Sequence, residues 1–328
     1  MKPLKKVLPP LLFLLLGTLL FAFVYKHTGV RQLSESLSAL HPCWLLMTVP
    51  LTIAAVVIRA LRWRLLLRPL GYHGGVWPLI LGVFQLYLAN LFVPRSGELL
   101  RCGIVTRYSG IPFVTIAGTV AAERASDLAA FIVIFAGTLI WQRSFFLHLF
   151  TRLPVGINIP YLIPCIIVVI CIIAVVAVLR FRQLRNSIRA VAQRFSDGFA
   201  SLLKTGAPVR FIMYTFAIQC IWTATLPLLF HAFDPTAHLT CKHALLLYIS
   251  GTFAVLIPVQ AGIGVWHGFA TATLLMFGID DQNSRLFALF THSFTCTVNI
   301  VLGIMGYLLL PTVNLRKNDA RHLKSPTE

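Results

Sequence analysis

The chain has 328 residues, of which 58% are hydrophobic and 12% charged, with a mean hydropathy of +0.83. Soluble domains carry roughly 25% charged residues, so this composition excludes one. The formal net charge of +18 does not point to nucleic acid either, because the basic residues collect in short loops beside apolar segments, as the positive-inside rule expects.

Apolar runs of about 20 residues, enough to cross a hydrocarbon core of about 30 Å, recur along the whole chain. The first, 8–25, follows Lys2, Lys5 and Lys6 and has no small-x-small cleavage site after it. It reads as an uncleaved span with its N-terminus in the cytosol. A second run covers 44–61 and leads into Arg59, Arg62, Arg64 and Arg68, interleaved with Trp63 and Leu65–Leu67. That pattern reads as an interfacial segment whose side chains reach anionic headgroups. Further runs lie at 76–93, 113–141, 160–179, 209–232, 244–277 and 286–310. A basic amphipathic helix at 180–208 (Arg180, Arg182, Arg185, Arg189, Arg194) reads as cytosolic. The seven cysteines are scattered, form no CxxC pair, and read as small apolar fillers.

Counting Lys and Arg between runs gives rich blocks at 1–7 (three), 59–75 (four), 180–210 (seven) and 311–328 (four). The poor blocks are 26–43 (two), 142–159 (two), 233–243 (one) and 280–285 (one). Eight simple crossings cannot place the rich blocks inside and the poor ones outside. Two re-entrant hairpins, 76–112 entering from inside and 241–284 from outside, remove both conflicts. Each has a helix breaker at its centre: Pro94 and Gly97 in the first, Pro258, Gly262 and Gly264 in the second. Irregular backbone at membrane depth is tolerated only where protein or a water-filled cavity satisfies it. The expected fold is therefore all-α and polytopic. It has about six full transmembrane helices (two in 8–61, three in 113–232, one at 286–310) plus two oppositely oriented hairpins, an inverted repeat with both termini cytosolic. Two ordinary kinked helices with a weak charge bias are the alternative.

The chemistry concentrates between residues 95 and 127. A charge at mid-bilayer costs roughly 2.5–3.5 kcal/mol on insertion scales, so Arg95, Glu98, Arg101, Glu123, Arg124 and Asp127 need partners or a purpose. Ser96 stands where a helix N-cap would, with Glu98 in the first turn. Arg95, Glu98 and Arg101 recur every three residues and share one side of a helix. A half-helix N-terminus flanked by arginines is an anion site; an internal ion-pair ladder is the structural alternative. Glu123 and Asp127 stand four apart, so they repel each other, and Arg124 pairs with Asp127 at i, i+3. On that spacing Asp127 is the structural carboxylate, while Glu123 looks to Arg95 or Arg101 and is the better proton carrier.

In the second hairpin His267 is the side chain able to titrate near neutral pH, and a hydrogen-bonded filler is the plainer reading. His292, Thr295 and Asn299 form one polar stripe on the last run, read as packing. No GxSxG, HExxH, glycine-rich phosphate loop or paired-aspartate motif is present, so neither an enzyme nor a metal or cofactor is expected.

Four stretches together resemble the transmembrane region of lysylphosphatidylglycerol synthases, the flippase-like family. They are Arg59-Ala-Leu-Arg62-Trp63-Arg64, Asn90-Leu-Phe-Val-Pro94-Arg95-Ser96-Gly97-Glu98-Leu-Leu-Arg101, Glu123-Arg124-Ala-Ser-Asp127, and Pro258 through Gly262-Ile-Gly264. The resemblance covers about residues 10–310. It implies a protein that moves or handles polar-headgroup lipids: aminoacylated phosphatidylglycerol in fused synthases, hopanoids or isoprenoid-linked sugars in stand-alone relatives. Two departures follow. The aminoacyl-transfer domain of the fused enzymes is not in this sequence, so lysyl-lipid synthesis is not implied. Where the second hairpin's motif is expected to end in Glu, this chain has His267.

The resulting expectation is a lipid translocase of a prokaryotic cytoplasmic membrane, with a midplane groove between two hairpins. Arg95, Arg101, Arg124, Asn90 and Ser96 would hold a phosphate; Glu98, Glu123, Asp127 and His267 would balance charge or relay protons. Expected partners are a phospholipid, glycolipid or isoprenoid lipid and anionic headgroups at the cytosolic face, without nucleic acid. The alternatives are a non-transporting subunit that presents lipid to a separate glycosyl- or aminoacyl-transferase, and an intramembrane transferase.

Overall fold

The structure, a computed structural model, describes residues 40–143, 193, 194, 196–257 and 259–322, with three isolated positions at 18, 19 and 22. The runs expected at 8–25 and 160–179, most of the helix expected at 180–208, and Pro258 lie outside the described residues.

Among the described residues eight α-helices carry the fold: α1 (Pro42–Leu67), α2 (Trp77–Phe92), α3 (Ser96–Ser109), α4 (Phe113–Trp141), α5 (Pro208–His231), α6 (Cys241–Leu256), α7 (Val265–Met276) and α8 (Asp281–His322). No strand occurs among the described residues, where the one β-type contact is a bridge between Leu40 and Phe233. Among the described residues four segments are long and apolar enough to cross a membrane: Pro42–Leu70, Phe113–Trp141, Pro208–His231 and Asp281–Val313. The chain is an all-α polytopic membrane protein. At about 1.5 Å per residue, α2, α3, α6 and α7 reach only about 18–24 Å. Alone, none of these four covers the hydrocarbon core.

Their order is long, short, short, long, twice over. The leading members of the two sets, α1 and α5, run antiparallel: His41 N–H donates to the Ala232 carbonyl at one end (3.0 Å), and Arg62 Nη1 donates to Thr215 Oγ1 towards the other (3.1 Å). Proline in the first turn of α1, α2 and α5 costs no hydrogen bond, since those N–H groups have no partner within the helix.

In each set the short helices form a hairpin. At the first, α2 and α3 approach so closely that a Cβ on Gly97 would stand 2.1 Å from the Leu86 carbonyl oxygen, which only glycine avoids. Asn90 Oδ1 accepts the Gly97 N–H at 2.8 Å, filling an orphan donor of the new helix. Ser96 is not the expected N-cap. It is the first helical residue, and its hydroxyl turns back to the Val93 (2.8 Å) and Ala89 (3.1 Å) carbonyls. Arg95 precedes it in left-handed backbone (φ 61°). In the second hairpin, His243 at the start of α6 meets Phe277 at the end of α7 edge to face (centroids 4.7 Å apart), closing the open end. Its tip carries Ala261 (φ 53°), Gly262 (φ 77°) and Gly264 (φ 80°).

The hairpins open at opposite ends of the bundle. Trp63 Nε1 donates to Thr119 (2.9 Å), while Arg59 and Arg62, earlier on α1, reach Glu123, later on α4. Thus α4 is antiparallel to α1, and the first hairpin opens at the end of α1. The far end of α4 meets the start of α6, where Lys242 lies over Trp141 and Gln142 Nε2 donates to the Lys242 carbonyl (3.1 Å). Between these openings the tips touch: Gln260 Nε2 donates to the Phe92 carbonyl at 3.0 Å. Helix α8 lies along α2, where Gly303 and Gly306 leave room for Leu88 and the Leu81 backbone.

Candidate functional site

Depth can be read along the helices. Arg59 lies eight residues before the end of α1, and Glu123 and Tyr87 each lie ten residues into α4 and α2, so all three stand about 12–15 Å in from the same end. On α4, 29 residues or about 43 Å long, that is about a third of the way along. There five helices deliver one ionic cluster.

Glu123 is its centre and is fully buried. Oε1 accepts from Arg59 Nε (3.0 Å) and Arg62 Nη2 (2.9 Å) and lies 3.3 Å from Arg124 Nη2; Oε2 lies 2.8 Å from Arg101 Nη2. Glu98 pairs with Arg101 (2.7 Å) and Arg59 (3.1 Å), with Arg124 Nε 3.7 Å away. Asp127 pairs with Arg62 (2.5 Å) and Arg124 (3.2 Å). Tyr87 and Thr215 each accept one further hydrogen bond, from Arg59 and Arg62 respectively. Arg101 Cζ lies 4.4 Å from the centroid of the Trp63 ring, a cation–π contact. Pairing of this density is what makes buried ions tolerable, since each unpaired ion costs several kcal/mol.

Four guanidiniums face three carboxylates, so the cluster carries one net positive charge. Arg59, Arg62 and Arg101 are enclosed, whereas the side chain of Arg124 is 46% exposed. Around it Leu99, Leu128 and Ile132 present exposed apolar surface. Arg124 is the cluster's one widely open cation among the described residues.

The structure corrects the reading of Arg59 and Arg62. Neither is interfacial: they are 7% and 0% exposed, drawn inward by carboxylates on α3 and α4. The signal in the sequence was their three-residue spacing beside Trp63 in a run whose helix continues to Leu67. Glu123, expected to look to Arg95 or Arg101, meets Arg101 and also Arg59, Arg62 and Arg124. The expected Arg124–Asp127 and Arg101–Glu123 contacts are both present.

Other named residues lie apart from the cluster. Arg95, exposed, sits with Asn90 and Ser96 at the first tip. His267 lies at the second tip, where its Nδ1 accepts the Gly264 N–H (3.1 Å). His292 Nδ1 stands 3.4 Å from His267 Nε2, and its own Nε2 lies 2.9 Å from the Ala261 carbonyl. A carbonyl only accepts, so His292 donates through Nε2 and receives the His267 Nε2–H on Nδ1; two neutral rings satisfy every bond. His267 therefore acts as the helix-start acceptor that a glutamate at the third helical position would supply. His292, read as packing, supports the strained tip.

A buried ionic cluster framed by two opposed helical hairpins defines a polytopic membrane protein with a charged site inside its helical bundle. Residues 11–303 match the family described as the lysylphosphatidylglycerol synthase TM region, and the chain belongs to that family. No curated protein and no solved structure matches it.

Proposed function

We propose that this protein binds the anionic headgroup of a membrane lipid at the arginine cluster and carries it across the membrane between two re-entrant hairpins. The observation that supports this most is the single excess positive charge, with Arg124 half-open on a surface that also exposes Leu99 and Leu128. A phosphodiester carries one negative charge and would neutralise it. Arg59, Arg62 and Arg101 form the fixed floor. Arg124 touches all three carboxylates at 3.2–3.7 Å and can exchange one of them for a phosphate oxygen. Arg95, Asn90 and Ser96 shape the tip through which the headgroup passes.

The orientation follows from charge. The start of α5 adjoins the block 180–210 with its seven basic residues, and antiparallel pairing brings the end of α1 to that side, which is cytosolic in a prokaryotic inner membrane. The hairpins then enter from opposite faces and meet near the midplane, as in transporters built from inverted repeats.

The test is reconstitution into vesicles with fluorescent phosphatidylglycerol, measuring accessibility of the label to an external quencher, alongside native mass spectrometry of co-purified lipid. Arg124→Ala should lower both transport and lipid retention at least tenfold while the protein stays folded. Wild-type transport and retention in that variant would sink the proposal. Lipid retention without transport by the wild type would favour the lipid-presenting subunit.

A further inference from the structure

A second cationic feature lies at the surface, away from the buried cluster. The end of α1 turns through Arg68-Pro69-Leu70, and Gly71, at φ 90°, reverses the chain with its N–H on the Arg68 carbonyl (3.0 Å). The Tyr72 N–H then donates to the Leu67 carbonyl (3.2 Å). This reversal folds Tyr72 and His73 back against the last turn of α1. Together Arg64, Arg68, Tyr72 and His73 line an open cavity of about 370 Å³.

The lining is a built one. Tyr72 is 5% exposed, and its hydroxyl donates to the Gly75 carbonyl (3.0 Å), which fixes the ring as a wall. Burial pushes its phenol up to about 12, although the Arg64 charge pulls the other way, so it stays a neutral wall at physiological pH. Gly74 packs flat on that ring: a Cβ there would stand 2.4 Å from Tyr72 Cζ. Arg64 Nε is buried without a hydrogen-bond partner. No carboxylate lines the cavity among the described residues, in contrast to the cluster one to two turns deeper, where every guanidinium meets an acid. A buried donor left unmade is costly, and two arginines without an acid are a standing demand for an anion.

We propose that this cavity is a second anion site, taking a phosphate group at the membrane surface on the side where the first hairpin opens. Its volume is of ligand-site size, large enough for the phosphate together with the polar group it carries. Two sources supply that chemistry: the headgroup of a lipid in the adjoining leaflet, or a free phosphate monoester from solution. In either case Arg64 and Arg68 grip the oxygens, His73 closes the open side, and Tyr72 sets the depth. The site stands independently of the transport proposal, because it shares no residue with the Arg124 cluster.

The experiment uses the full chain in nanodiscs of neutral lipid, with two probes. Phosphatidylglycerol is titrated into the discs and counted by native mass spectrometry; glycerol 3-phosphate is titrated from solution and followed by calorimetry. Arg68→Gln and Arg64→Gln should each weaken binding of at least one probe tenfold or more. Arg107→Gln removes the same charge from the exposed end of α3 and should leave both titrations unchanged. Arg68 is exposed, so its variant should fold even if that of Arg64 does not. A loss confined to phosphatidylglycerol identifies the lipid source, and a loss confined to glycerol 3-phosphate the soluble one. Equal weakening by Arg107→Gln, or wild-type binding of both probes in Arg68→Gln, would overturn the site.

Discussion

Glu123→Gln is the sharpest test of the buried cluster, because it keeps the shape of the side chain and removes its charge. Four guanidiniums would then face only Glu98 and Asp127, doubling the net positive charge from one to two. Removing one partner of a buried ion pair costs roughly 3–5 kcal/mol, since the remaining charge is left uncompensated. Asp127→Asn should cost less, about 1.5–3 kcal/mol as for a hydrogen bond to a charged group, because that carboxylate has two arginine partners and is 21% exposed. Equilibrium unfolding in mixed detergent–SDS micelles, followed by tryptophan fluorescence, gives both values, and Trp63 under Arg101 is a local reporter. A double variant, Glu123→Gln with Arg101→Met, removes one unpaired cation along with the anion. It should be less destabilised than Glu123→Gln alone, as coupled neighbours are not additive. If Glu123→Gln lay within about 0.5 kcal/mol of wild type, like an ordinary surface change, or if Asp127→Asn were the worse of the two, the account of the cluster would be wrong.

Other outcomes follow from the fold. Gly97→Ala should prevent close packing of α2 and α3 and sharply lower expression of folded protein, because the added methyl meets the Leu86 backbone and not a movable side chain; fluorescence size-exclusion chromatography reads this directly. Asp280 accepts the Asn283 backbone and side-chain N–H groups at the start of α8 (3.0 and 2.6 Å). Burial pushes its carboxyl up, but those bonds outweigh it and hold it below the ordinary value. Its contribution is therefore present above the unfolded aspartate pKa of about 3.9 and lost as pH falls through the lowered folded value. Asp280→Asn should lower the neutral-pH midpoint modestly, leave the midpoint at low pH nearly unchanged, and so flatten the acid limb of a thermal-stability profile. Lys242→Cys and Arg285→Cys should react with an impermeant maleimide from one and the same face of oriented vesicles; labelling from opposite faces would dismantle the second re-entrant hairpin.

Much of this site was legible because acid is so conspicuous in an apolar chain. Glu98, Glu123 and Asp127 stand out of runs that otherwise read as membrane, and Pro94, Gly97, Gly262 and Gly264 marked both breaks. Arg59 and Arg62 were hidden by their neighbours. In a block with Arg64 and Arg68 they look like loop charges, and the sequence does not say that α1 continues to Leu67 and turns them inward. The same ambiguity enters the charge count, where two of the four basic residues in 59–75 are not loop charges at all. Orientation rests more firmly on the seven in 180–210. Ser96 misled for a different reason: its hydroxyl can serve either the new helix or the old one, and the tight crossing at Gly97 leaves the capping bond to Asn90.

The strengths of the two sets of contacts bear on how a lipid would move. The ionic cluster ties α1, α3 and α4 through nine charge contacts, seven of them at 3.2 Å or less, and breaking such pairs is costly. Among the contacts between the tips is a neutral bond from Gln260 to the Phe92 carbonyl, of a kind worth about 1 kcal/mol net. A neutral bond of that kind parts more readily than a buried ion pair of the cluster. On the proposed function, the headgroup site is therefore the stationary part and the hairpin tips are the gates. The residues at those tips fit that division: Arg95 and Ala261 sit in left-handed backbone that non-glycine residues adopt at a cost, with Ala261 held by His292, so each tip stores strain that parting would release. A gate built this way opens by loosening a few local bonds, while the four arginines keep their places for the next lipid.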